Sequence, residues 1–399
     1  MKISITFISV CLLVAGSVQP ASSAEKLEPI KTVVIGENRA FVVNGKPFFP
    51  IMSWAQSPRN FEKLRSININ TFCGNHSVTA KQYCDAAQEA GGYAIPGFDK
   101  EAVGHPYLLA WIHGDEPDMA RKKQDSDSDK TSKVPRRSVE QVAEHYQRIK
   151  DADKSRPVFV TFTSHFMKEF TGNYDQETKD KLYPNFVKYC DVAGFDTYPI
   201  YGWNRPDWLD YPGRGVAQLR EIAGPKKPIY AWIETHKGSR WVTYENQLDV
   251  LPCHTRSEVW LAVIRGATAI GYFTHAWRPS ETEFAPTEDM QQALKHLNGQ
   301  ITQFAPVILS PPAEVDVSIS IENGLGADIM ARKFDDSLYL FSVNYDPRQQ
   351  AGRAVVTVAG LKAGTKIEVV DEDRWLTADE GSFSDEFAAL GVHIYKLKL

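Results

Sequence analysis

Apolar and polar residues change their spacing twice along this chain. From Arg39 to Pro50 two short apolar segments flank Asn44-Gly45, a dipeptide that tolerates positive φ at both positions and closes two-residue hairpins. From about Phe49 to Ile308 short, almost continuously apolar runs then alternate with longer amphipathic ones. FPIMSWA, NINTFCG, YAIPGFD, LLAWIHGDEPD, RPVFVTFTSHF, DVAGFDTYPI, KPIYAWIETHKG and TAIGYFTHAW read as eight strands. The segments between them carry apolar residues at helical spacing. Ser57 and Ser138 stand where N-caps belong, a Gly pair closes VTAKQYCDAAQEAGG, and the last helix shows a stripe at Leu294, Leu297, Ile301 and Phe304.

Strands without a polar face belong to parallel sheets covered on both sides. Eight strand–helix units in roughly 260 residues match a (β/α)₈ TIM barrel of the α/β class. A doubly wound sheet is the structural alternative, but it usually carries a Gly-rich phosphate turn after its first strand, and PIMSWAQS has none. After SPPAEV the period drops to two: VSISI, ADIMARKF, SLYLFSVNY, RAVVTVAG, TKIEVV and VHIYKLKL alternate apolar and polar positions between turn residues. These predict a C-terminal antiparallel β-sandwich.

The N-terminus reads differently. One Lys, a short apolar run and a small-residue tail ending at Ala24 have the form of a secretory signal peptide, too short to span a bilayer. The expected organisation is a signal peptide over 1–24, a β-hairpin lead-in over 25–48, the barrel over 49–312 and the sandwich over 315–399, in a secreted or periplasmic product without a membrane span. Cys73, Cys84, Cys190 and Cys253 are too scattered for a disulfide scaffold; export permits bridges, and pairing stays open. A net charge of −5 gives no sign of nucleic-acid binding. No CxxC or HExxH spacing argues for a metal, and no cofactor is expected. The charged stretch Ala120 to Arg137 lacks apolar residues and predicts a mobile solvent loop. Nothing in the sequence sets the oligomeric state.

A barrel of this kind keeps its chemistry at the C-terminal ends of its strands. Those ends read Trp54, Asn75-His76, Phe98-Asp99, His113-Gly-Asp115-Glu116, Ser164-His165, Asp196-Thr-Tyr198, Glu234-Thr-His236 and His275-Ala-Trp277. Glu116 ends the fourth strand and Glu234 the seventh, on opposite sides of a closed mouth. Two opposed carboxylates among aromatics suit glycoside hydrolysis: one protonates the leaving oxygen, the other attacks the anomeric carbon or activates water, and flat sugar faces stack on Trp and Tyr. The acid needs a raised pKa, which a neighbouring carboxylate supplies. Trp203 and Trp241, with Trp208 and Arg240, are candidate sugar contacts. Trp232 reads as core, and Asp118 as a hydrogen-bonding loop residue.

WIHGDEPD, GFDTYPI, YAWIETH and GYFTHAW, with the opening stretch FVVNGKPFFPIMSW, resemble clan A of the glycoside hydrolases, retaining enzymes on (β/α)₈ barrels. The resemblance covers about two-thirds of the chain. It implies that Glu116 is the acid/base and Glu234 the nucleophile, that Tyr198 contacts the nucleophile, and that Trp277 floors the sugar site. It also implies a β-linked poly- or oligosaccharide as substrate. Asp115 departs from the pattern, because the clan usually has Asn before the acid/base glutamate, where it binds the substrate 2-hydroxyl. The expected site is therefore Glu116 and Glu234 with Asp115, Tyr198, Trp277, Trp54, Asn75, His76, His165, Trp203, His236, Trp241 and His275. Two other readings stand beside it. A carbohydrate-binding barrel with little hydrolysis is suggested by Asp115. A metal-dependent hydrolase would use His113, Asp115, His165, His236 and His275, although the first strand lacks the His-x-His that many metallo-barrels carry.

Overall fold

The computed structural model describes residues 26–124, 131–276 and 283–398, so the leader lies outside it. Asn44 and Gly45 both take positive φ (51° and 78°), the backbone that a type I′ turn demands, and Val43 pairs with Lys46 across it. Val33–Ile35, Phe41–Val43 and Lys46–Phe48 form a three-stranded antiparallel sheet ahead of the main fold.

Eight parallel strands follow: β1 Ile51–Trp54, β2 Thr71–Cys73, β3 Tyr93–Ile95, β4 Trp111–Ile112, β5 Val158–Thr163, β6 Val192–Asp196, β7 Ile229–Glu234 and β8 Ala269–Phe273. Their order in the sheet is β3-β2-β1-β8-β7-β6-β5-β4. The seam between β3 and β4 is joined by the parallel bridges Ala94–Leu108 and Gly97–Ile112, which nearly close the ring. β4 is short because Leu108, Leu109 and Ala110, though fully buried, meet β3 only through such bridges. Helices between the strands cover the outside. Thr79 and Ser138 each complete a capping box, and Gly91 ends its helix with φ 76°.

The barrel interior is filled in rows, since residues i and i+2 of a strand share a face. One row holds Thr161, Gly194 and Tyr230 in register. A Cβ at Gly194 would lie 2.2 Å from the Tyr230 ring, so the glycine makes room for the phenol, which bonds Thr161 Oγ1 at 2.7 Å. The next row holds Thr163, Asp196, Trp232 and Gly271. Here a Cβ on Gly271 would sit 2.0 Å from Trp232. Above it, Glu234 pairs with Phe273 at the rim. The two glycines thus let large aromatics plug the barrel just beneath the polar mouth.

Beyond the barrel lie a five-stranded antiparallel sheet and a three-stranded one, between Val317–Ile321 and Val392–Leu397. Alternating burial along Gly352–Val358 marks the two-faced strand expected from the sequence. The larger sheet packs on the barrel helices through Trp260 and Phe341, stacked 5.5 Å apart, and through the Arg265–Asp328 ion pair at 2.9 Å.

Candidate active site

The loop after β4 gathers the most ionisable groups. The backbone N–H of Glu116 donates to Thr161 O (3.1 Å), and Glu116 takes φ 46°. Positive φ is uncommon outside glycine and persists only where the surroundings enforce it. Asp118 does the enforcing. Its buried carboxylate accepts from Thr163 N (2.9 Å), Thr163 Oγ1 (2.6 Å) and Tyr183 OH (2.8 Å), pinning the loop to the end of β5. Arg136 holds the other side: Nη1 donates to the Asp115 carbonyl (2.7 Å) and Nη2 to Glu116 Oε2 (3.2 Å).

Arg136 arrives from the stretch whose composition predicts a mobile loop; positions 125–130 of it lie outside the described residues, and for the rest the structure corrects that expectation. Ala120–Gln124 and Thr131–Pro135 pair as an antiparallel hairpin. Its base is tied to the acidic loop by Arg136 N to Met119 O (2.8 Å) and Arg137 N to Pro117 O (2.9 Å), while Lys133 reaches Asn173 Oδ1 at 2.9 Å. Composition alone did not reveal these long-range anchors.

Four carboxyls share this mouth with Arg136. Burial, then Asp115 and Asp118, push Glu116 up to about 8, against the pull of Arg136. Burial raises the inaccessible Asp118 to about 6 despite its three donors. Asp196, at the end of β6, is held well above the carboxylate range by burial and by Glu116, Asp115 and Asp118. Asp115 also rises, through burial, to about 6. Water nevertheless reaches Asp115 from the open side, which limits how strongly the surrounding barrel suppresses its charge. Its charge helps to raise Cys73 on β2, Tyr230 and Tyr198.

Glu234 is organised differently. It is 1% exposed, and its two oxygens accept from the backbone N–H groups of Ile200 (3.0 Å) and Tyr201 (2.6 Å), in the short helix Pro199–Trp203 that follows β6. Burial raises its carboxyl to about 7, and these donors oppose the rise. Behind it lies the buried Glu258, from the helix after β7. Tyr198, buried 5.2 Å from the Phe273 ring, bridges the two regions: its phenol is raised by burial and then by Asp196, Asp115 and Glu116.

The remaining candidates divide by exposure. Trp203 and Trp241 are exposed, Trp203 beside Phe170 and Trp208, Trp241 beside Tyr201 with Arg240 above it. Trp54 is half-buried and packs on Trp232, 5.2 Å away. Asn75 spends its amide on the loop, accepting from Gly97 N (2.8 Å) and donating to Val78 O (2.9 Å), while exposed His76 contacts Ser77 Oγ at 2.8 Å. His165 lies against Asn173. His236 packs on Phe273, and His275 bonds the Trp54 carbonyl oxygen at 3.2 Å. Burial depresses these three histidines to about 4, 3 and 4. His113 turns away to Tyr189 O at 2.9 Å. Among the described residues no group of three or more His, Cys, Asp or Glu is placed to hold a metal. Cys73 and Cys84 are both buried thiols and are not bridged to each other. Trp277 lies outside the described residues.

Two cavities stand out. One of about 370 Å³ opens beside Asp115, among His113, Arg136, Arg137 and His145. Another of about 420 Å³ lies at the N-terminal ends of the strands, by Arg156, Asp191 and Lys227, away from every candidate residue. Sequence reasoning missed Arg136, Asp196 and Glu258. Asp196 carried a visible signal as a strand-end carboxylate, but Arg136 and Glu258 had none.

No family model matches the chain, and no curated protein matches it by sequence. Solved structures do match in fold. A protein described as a glycoside hydrolase superposes with a TM-score of 0.57 at 13% identity, over 92% of this chain and 96% of its own. A glycoside hydrolase family 5 protein from Bacteroides vulgatus superposes with a TM-score of 0.55 at 12% identity, over 92% of this chain and 94% of its own. The chain therefore has the fold of these proteins, a TIM barrel followed by a β domain.

Proposed function

We propose that the protein is an exported, retaining glycoside hydrolase that cleaves a β-linked poly- or oligosaccharide. The observation that carries the reading is Glu116: a carboxyl at the C-terminal end of β4, fixed by Asp118 and Arg136 and raised to about 8, so that it holds a proton at neutral pH. In this reading Glu116 protonates the glycosidic oxygen as the bond to the anomeric carbon breaks. The ionised Glu234 forms the new bond to that carbon. Glu116, now a carboxylate, takes a proton from water, whose oxygen displaces Glu234 and restores both groups. The N–H groups of Ile200 and Tyr201 support the charge on Glu234. Trp203, Trp241 and Trp54 offer stacking surfaces to sugar rings, and the fold neighbours are consistent with a carbohydrate substrate. Export rests on the leader at 1–24.

One observation favours a second assignment of the partner carboxylate. Asp196 is coupled by charge to Glu116, Asp115 and Asp118, whereas both oxygens of Glu234 are engaged by backbone donors; that same coupling holds Asp196 protonated, so it would have to give up its proton before attacking. In that assignment Asp196, not Glu234, faces Glu116 across the sugar. A screen of plant, fungal and marine polysaccharides for reducing-end release, run with Glu116→Gln, Glu234→Gln and Asp196→Asn, tests both. Full hydrolysis by Glu234→Gln with loss in Asp196→Asn would move the nucleophile to β6. Binding without release by the wild type would leave a carbohydrate-binding barrel.

A further inference from the structure

The helix Pro252–Ile264 has no solvent-facing stripe in its second half, where every residue from Ser257 to Ile264 is buried. On its inner side Thr255 donates its hydroxyl to the Glu234 carbonyl oxygen at 2.9 Å. Glu258 follows three residues later, on the same face of the helix. It is fully buried, no N–H or O–H of another residue reaches its carboxyl oxygens, and its carboxyl lies within hydrogen-bonding reach of the Glu234 carboxyl. The charged group that acts on it is Glu234.

Two carboxyls buried side by side cannot both ionise, and a lone buried carboxylate is costly. The surroundings break the symmetry of the pair. Glu234 receives two backbone N–H groups; Glu258 receives none. Negative charge is therefore supported on Glu234 and unsupported on Glu258. Other titratable groups near the pair do not supply a cation at neutral pH. His236 beyond β7, His275 beyond β8 and His254 on the same helix are each kept neutral by burial, at about 3, 4 and 4. Tyr198, from the segment after β6, has its phenol raised further by burial, and Asp196 is a further carboxyl. Arg256, one residue before Ser257, donates instead to Val392 O at 3.2 Å.

We propose that Glu258 is a positioning residue that carries the proton shared by the two buried carboxyls and directs it at Glu234, keeping the nucleophile singly ionised and oriented. The proposal rests on the assignment of Glu234 as nucleophile. A leucine at 258 fills the space but cannot donate; a glutamine can donate but cannot ionise. Glu258→Leu is expected to move the acid limb of the kcat/KM–pH profile upward by about one unit, as Glu234 loses a donor. Glu258→Gln is expected to hold the limb within a few tenths of a unit and kcat/KM within about threefold. A limb that stays in place in Glu258→Leu overturns the proposal, because a mere space-filler would behave that way. Infrared spectra in a Glu116→Gln background supply a readout independent of activity. The protonated-carboxyl C=O absorption at pH 7 should lose one carboxyl's intensity on adding Glu258→Gln, the contribution of Asp196 remaining, and an undiminished absorption overturns the proposal. Should Glu258→Leu fail to fold, the infrared comparison alone decides. If Glu234→Gln hydrolyses like the wild type, the nucleophile assignment falls, while the infrared result still reports where the proton sits.

Discussion

Among the described residues Arg136 is the guanidinium bonded to the Glu116 carboxyl, so its removal gives the sharpest test of how Glu116 is tuned. At 3.2 Å and an effective dielectric of about 20, the attraction between full charges is roughly 5 kcal/mol before any screening. The side chains keep 25% and 14% of their surface, and the net worth of such a charge-assisted bond falls to roughly 1.5 kcal/mol. That corresponds to about one pH unit. The sign follows from the charge: Arg136 favours ionised Glu116, so its loss raises the pKa from about 8. In Arg136→Met the basic limb of kcat/KM against pH should move to higher pH by about one unit, while Arg136→Lys, which keeps a cation, should lie closer to the wild type. The profile is measured on whichever glycan the screen identifies. A basic limb that stays in place or moves to lower pH would refute the reasoning, either because Glu116 does not govern that limb or because Arg136 is not its partner in solution.

Other consequences are open to direct measurement. Asp118→Ala strips three buried donors of their acceptor and should cost about 3–5 kcal/mol in urea unfolding, with activity lost in the fraction that stays folded. Gly271→Ala forces a Cβ to within 2.0 Å of Trp232 and should destabilise by about 3 kcal/mol or more, seen as a lower unfolding midpoint or insolubility. Because the folded state raises Glu116 above its ordinary 4.5, the stability it contributes is present below about pH 4.5 and is lost as pH climbs to about 8. Glu116→Gln, which never ionises, should therefore lose less stability than the wild type between pH 5 and 8.5, and equal losses would count against the raised value.

The parts of the molecule written in local pattern were the parts the sequence revealed. Apolar strands, the stop at Gly91, the cap at Ser138 and the Asn44-Gly45 turn depend on neighbours within a few residues, and so does the period-two tail, whereas Ser57 precedes only a short turn and makes no side-chain cap bond. The position of Glu116 and Glu234 at strand ends followed from counting strands around a ring. What stayed hidden depends on contacts across the chain. A charged stretch became a hairpin because its base bonds to Pro117 and Met119. The stretch Tyr201–Arg214 forms the end of the helix Pro199–Trp203, the turn Pro206–Trp208 and the start of Tyr211–Ala223. That folding brings the N–H groups of Ile200 and Tyr201 onto Glu234. Glu258 looked like an ordinary helical carboxylate, since only the tertiary fold shows that the C-terminal sheet covers its helix.

The role of Glu116 as the proton donor to a leaving sugar oxygen is isolated by one comparison. Glu116→Gln is assayed on a glycoside with a poor, alkyl-type leaving group and on one with the same sugar and an activated aryl leaving group, with bond cleavage followed in the pre-steady state. A loss of about 10²–10⁴ is expected on the first and a much smaller loss on the second, which leaves without a proton. Equal losses on both, or no loss on either, would contradict that role.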